Sequence, residues 1–75
     1  MTLDEFVKAF AAEFDDTSED QITPNTKYRE LEEWGSLTAL SIISMIDDEC
    51  DVVVTGAELR SCTTIEEIYN LIQSK

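Results

Sequence analysis

Three stretches of this chain keep a helical apolar period, and no two stretches keep the alternation that a pair of strands would need. Leu3, Phe6, Val7, Phe10 and Phe14 form the first stripe. It is preceded by Thr2-Leu3-Asp4-Glu5, in which Thr2 can cap the backbone and Glu5 can reach back to it. A helix over about 2–15 is predicted. The second stretch is residues 36–50, where Ala39, Ile42, Ile43, Ile46 and Cys50 share one face and Thr38, Ser41, Ser44 and Asp48 lie roughly opposite. Leu37 and Met45 fall among the polar positions and Leu40 at their margin, so this helix is apolar over more of its circumference than a one-sided surface helix needs. Either it is covered on two sides, or Leu37 and Leu40 form an exposed apolar patch beside Ser36. The third stretch opens at Thr63-Thr64-Ile65-Glu66-Glu67, with Ile65, Ile68, Tyr69, Leu71 and Ile72 as its stripe.

The connections are unlike one another. From Asp15 to Gly35 periodicity vanishes, and the only proline, Pro24, sits among Thr23, Asn25 and Thr26 in turn chemistry. Ile22, Tyr28, Leu31 and Trp34 punctuate that stretch as apolar anchors, which predicts an ordered connection over the core with a helical turn near 28–33. Val52-Val53-Val54 is long enough for a strand but has nothing to pair with, so it reads as an extended tie to the core. Thr55-Gly56-Ala57-Glu58-Leu59 repeats the capping pattern with room for little more than a turn of helix. The predicted architecture is all-α: a small four-helix bundle of three long helices and one short, forming a single domain over residues 1–75.

Length and charge narrow the function. A chain of 75 residues buries only about 60% of its unfolded surface. Seventeen acidic residues against five basic ones give a formal charge of -12. Nucleic acid and anionic membranes are poor partners for such a surface, and basic protein surfaces are good ones. No histidine is present, which removes the commonest general base and nitrogen ligand. Cys50 and Cys62 are too far apart for a CxxC site, and they are expected to be reduced and to pack as small apolar groups. The N-terminal residues carry no basic, apolar signal segment, and no run is long enough to span a membrane; a cytoplasmic monomer is expected.

Catalysis by this chain alone is not expected. Ser36 has no histidine to activate it, and two isolated glycines cannot build a phosphate-cradling loop. Asp15-Asp16-Thr17-Ser18-Glu19-Asp20 lacks the glycine and closing glutamate of an EF-hand loop. One feature of chemical interest remains: Trp34-Gly35-Ser36-Leu37 sets a serine hydroxyl where a coil becomes a helix. Unpaired N–H groups and the macrodipole favour negative charge there, so the serine either caps the helix or carries a phosphate-linked group. Asp47, Asp48 and Glu49 close the same helix with the sign the dipole disfavours, which marks either a solvated run or a docking surface for a basic partner.

Gly35-Ser36-Leu37, the apolar helix ending in Ile46-Asp47-Asp48-Glu49, the Val52–Val54 connection and Thr63-Thr64-Ile65-Glu66-Glu67 together resemble the acyl carrier protein family over essentially the whole chain. The resemblance implies a 4′-phosphopantetheine arm bound through a phosphodiester to Ser36, with acyl groups carried as thioesters for fatty acid or polyketide-type biosynthesis. Gly35 and Leu37 flank the attachment position. Leu37, Leu40, Asp47, Asp48 and Glu49 would then be read by basic-surfaced acyl-processing enzymes and by the phosphopantetheinyl transferase that attaches the arm. One position departs from the pattern: the family has aspartate before the serine, and this chain has Gly35. Two other functions stay open at this point. One is an unmodified acidic interaction module of the same fold, and the other is a carrier for amino acids or other starter units.

Overall fold

In the computed structural model, which describes residues 1–75, four α-helices follow one another: α1 (Leu3–Ala11), α2 (Ser36–Cys50), α3 (Gly56–Ser61) and α4 (Ile65–Gln73). Short 3₁₀ turns lie at Glu19–Gln21, which the sequence did not announce, and at Tyr28–Glu30, within the predicted turn. There is no sheet, only one antiparallel bridge between Lys27 and Thr64.

Three helix starts follow directly from local chemistry. At α1, the Thr2 hydroxyl accepts from the Glu5 amide at 3.2 Å, and the Glu5 carboxylate accepts from the Thr2 amide at 2.8 Å. The same reciprocal pair forms between Thr55 and Glu58 at α3 and between Thr64 and Glu67 at α4. Each box satisfies two of the amides that a helix start leaves unpaired.

The end of α1 corrects the reading from sequence. The helix stops at Ala11 rather than near residue 15. The amides of Glu13 and Phe14 bond back to Phe10 and Ala11 in a tighter turn, which still buries Phe14. Beyond it, the Asp15 and Asp16 amides donate to the Glu33 carboxylate at 3.0 and 2.9 Å, and the Thr17 hydroxyl donates to it at 2.6 Å. A partner eighteen residues downstream thus captures amides that would otherwise have continued the helix.

One cluster of 15 buried residues forms the core, drawn from all four helices and from the long α1–α2 connection. An aromatic path crosses it. Phe6 of α1 meets Tyr69 of α4 and Phe10, Phe10 meets Tyr28, and Tyr28 meets the Trp34 ring. Ile22 and Tyr28 are buried, and Leu31 and Trp34 pack against the cluster, so the predicted anchors hold the connection down. Hydrogen bonds fasten it as well. The Glu66 amide donates to the Pro24 carbonyl at 2.9 Å, and Arg29 Nε donates to the Cys62 carbonyl at 3.2 Å.

On α2, Ile42 and Ile46 are fully buried, with Ala39, Ile43 and Cys50 against the same cluster. Met45, which the helical wheel placed among polar positions, is buried too, because the core wraps further round α2 than one face. Leu71, assigned to the buried stripe of α4, is only partly covered and lies outside the cluster. Helix α2 ends at Asp51 in a left-handed conformation (φ 56°, ψ 38°), the usual place for glycine or asparagine. Val52–Val54 then runs without a strand partner: Val54 is buried while Val53 is exposed. Cys50 and Cys62 are free, half-buried, and have thiol pKa values raised by burial. No helix is long and apolar enough to cross a membrane.

Candidate functional site

The start of α2 is built differently from the other three. Its N-cap is Gly35, in extended backbone (φ -171°, ψ -176°), and no side chain caps the helix. The first backbone bond of the helix runs from the Ala39 amide to the Gly35 carbonyl at 2.9 Å, so the amides of Ser36, Leu37 and Thr38 precede any intrahelical partner. Ser36 is the first helical residue and is exposed. Its position matches the reading from sequence: the hydroxyl stands at the coil-to-helix junction and is not buried within the bundle.

This end of α2 is open, yet it is braced from outside. The Thr38 hydroxyl donates to the Glu33 carbonyl at 2.8 Å. The Glu33 carboxylate holds residues 15–17 as described, and the hydroxyl of Thr17 is the main reason its pKa lies below the usual carboxylate range, ahead of the backbone amides. Trp34 stacks edge-on to Tyr28, with ring centroids 4.9 Å apart at 68°. The buried Tyr28 hydroxyl reaches the carbonyls of Leu59 and Cys62 at the end of α3, and burial pushes its pKa up to about 12. The phenol therefore stays protonated at physiological pH, as a donor to those carbonyls must. Residues 33–38 are fixed to the core through hydrogen bonds and aromatic contact, and Ser36 is held out from a rigid base.

Two open grooves flank the junction. The first, of about 300 Å³, lies between α2 and α3 and is lined by Trp34, Gly35, Ser36, Ala39, Gly56, Leu59 and Arg60. The second, of about 470 Å³, follows α2 on the other side of Ser36. It brings Leu37 and Leu40 together with Met45, Asp48 and Glu49, and adds Glu13 from the end of α1. Leu37 is 82% exposed and Leu40 60%, so the exposed-patch reading of these leucines is the one the fold adopts. Asp47 is exposed but does not line this groove. Ser41 and Ser44 complete the stripe, each four residues after a leucine of the patch, a spacing that would have found them. Glu13 and Arg60 carry no such signal, because tertiary packing brings them to their grooves.

The geometry fits a covalent arm. Ser36 is exposed, it lines the edge of a groove, and a Cβ built on Gly35 would meet nothing within 4 Å. What the fold and this junction define is a small helical domain in which an exposed serine heads a helix and apolar and acidic groups line the flank. Comparison with known protein families agrees: residues 5–72 match the phosphopantetheine attachment site family. The chain belongs to that family, whose domains take 4′-phosphopantetheine covalently, and it is a phosphopantetheine-carrying protein. Searches of curated proteins and of solved structures return no match.

Proposed function

We propose that Ser36 is the residue that bears the arm and that the chain carries acyl intermediates for fatty acid or polyketide-type biosynthesis. The observation that carries this reading is the exposed hydroxyl at the first residue of α2, the one α-helix without a side-chain cap. Ser36 Oγ forms a bond to phosphorus in the pyrophosphate of coenzyme A, the P–O–P bridge breaks, and the nucleotide portion leaves. The serine proton passes to a base of the phosphopantetheinyl transferase, since the chain has no histidine to take it. When bound, 4′-phosphopantetheine supplies a terminal thiol that holds acyl groups as thioesters. Trp34, Ala39 and Leu59 give the groove beside Ser36 apolar walls that suit an alkyl cargo better than a charged aminoacyl group.

Partner enzymes perform the chemistry and read the α2 face. Leu37 and Leu40 offer apolar contact, while Asp47, Asp48 and Glu49 steer basic surfaces toward it. One feature favours a second reading. Gly35 replaces the aspartate that the loading enzyme engages in relatives, which would suit an unmodified acidic module. Intact mass after incubation with coenzyme A and a broad-specificity transferase separates the two. The expected result is a gain of one arm in the wild type and none in Ser36→Ala. A wild type that gains nothing, or a gain that survives in Ser36→Ala, refutes the assignment.

A further inference from the structure

Of the five basic residues, the side chains of two have partners within the fold, and those of Lys8, Lys27 and Arg60 have none. Lys75 pairs with Glu58 at 2.9 Å, the one ion pair of the fold, and Arg29 donates to the Cys62 carbonyl. Arg60 has no carboxylate partner, although 17 acidic residues are available. Its guanidinium does not extend away from the protein. Nη1 lies 3.4 Å from where a Cβ on Gly56 would stand, folded back over the first turn of α3 and lining the groove that begins at Ser36. No carboxylate lines that groove, whereas Glu13, Asp48 and Glu49 line the groove on the opposite side of Ser36. A phosphodiester on Ser36 thus has an acidic groove on one side and a lone cation on the other.

We propose that Arg60 is the positioning residue for the arm, its guanidinium holding the Ser36-linked phosphodiester and turning the arm into the α2–α3 groove. This rests on Ser36 being the attachment site. A guanidinium is charged at every accessible pH, and its planar donors match two phosphate oxygens at once, which an ammonium cannot do. The tether matters as much as the charge. An exposed ion pair is worth little between free partners, but a phosphate bound to Ser36 cannot diffuse away. The acids of the other groove add direction by repelling the same group. The arm is therefore biased toward α3 and away from the Leu37–Leu40 face, which is left free for partners.

Nuclear magnetic resonance on full-length protein loaded with the uncharged-thiol arm alone, without cargo, tests this, with loading checked by mass. On going from apo to holo protein, the Arg60 Nε–Hε signal is expected to shift and its exchange with water to slow by about two- to five-fold, the range of an exposed ion pair. The phosphorus signal of the holo protein is expected to move when Arg60→Gln removes the cation and to return part of the way in Arg60→Lys. If mass locates the arm on Ser36 but the Nε–Hε signal and its exchange stay where they were, Arg60 does not hold the phosphodiester and the carrier assignment stands. If Ser36 accepts no arm, the carrier assignment and this one fall together. The Nε–Hε measurement is made on the wild type, so it remains decisive even if a variant folds poorly.

Discussion

The beginnings of α2 and α4 put two uses of the same backbone chemistry side by side. At α4 the Thr64 hydroxyl accepts from the Glu67 amide, and the Glu67 carboxylate takes the amides of Thr63 and Thr64. Those bonds, the one from Thr63 foremost, hold the Glu67 pKa below the carboxylate range. The cap itself comes from residues three or four positions apart, and the Pro24 carbonyl adds one bond from the α1–α2 connection to the Glu66 amide. At α2 a glycine occupies the capping position, and the bracing comes from Glu33, Thr38 and the Trp34–Tyr28 contact. A helix start that caps itself has fewer amides left to offer a ligand. One held from outside can be both ordered and open, and a carrier serine needs both.

The sharpest way to break this contrast is to remove the outside brace. Trp34→Ala deletes a large, partly buried ring and its edge-on contact, and is expected to cost about 2–3 kcal/mol, below the 3–5 kcal/mol of a fully buried case. Against a core that in chains of this size rarely supplies more than ~3–5 kcal/mol, chemical denaturation will register that loss as a large fall in midpoint. Hydrogen exchange at Ser36–Thr38 should speed up more than at α4. Equal acceleration at both helices would mean that Trp34 acts on the whole core and does not brace the junction.

Thr64→Ala addresses the other side of the comparison. It removes a cap that local chemistry supplies, with an expected loss of about 1 kcal/mol. Fraying should be confined to α4 and to the Lys27 bridge that Thr64 forms, with the α2 amides unaffected. A loss shared by α2 would show that the two ends are not independent.

Glu33→Gln gives a smaller effect with a distinctive pH dependence. The folded pKa of Glu33 is depressed, so its contribution is fully present above the ordinary glutamate pKa of about 4.3 and is lost as pH falls through the lower folded value. The variant is expected to be less stable than wild type at pH 7, with the gap closing below about pH 4. Relief of repulsion among the 17 acids on acidification acts on both proteins and cancels in the difference. A gap independent of pH would rule out the carboxylate as the clasp. The smallest change in stability belongs to Gly35→Asp, since restoring a side-chain cap in place of glycine gains only a few tenths of a kcal/mol. Space is open at that position, and the variant is expected to speed loading by a transferase. Unchanged loading kinetics would show that residue 35 is not read.

Sequence carried most of what depends on near neighbours. The Thr2 and Thr55 boxes, the opening of α4, the bounds of α2 and the anchors along the first connection all rest on spacings of a few residues. It failed where a distant group decides. Ala11-Ala12-Glu13 are good helix formers with no glycine to stop them, and Phe14 keeps the apolar stripe, so nothing local marks an end that Glu33 imposes from across the fold. Met45 looked exposed on a wheel because burial there depends on what packs against α2. The place of Ser36 and Leu37 at the coil-to-helix junction was legible in the sequence, whereas the exposure of Leu40 at the margin of the apolar face was not decided by the wheel. Arg60 and Glu13 were not legible, since each lies more than twenty residues from Ser36 and reaches its groove only through packing.

The most direct test is to purify this protein from its own cell and fragment it in a mass spectrometer. The expected spectrum places a phosphopantetheine arm, with or without an acyl group, on the peptide holding Ser36 and on no other. An unmodified Ser36 in the native protein, or an arm carried by a different residue, would contradict the account.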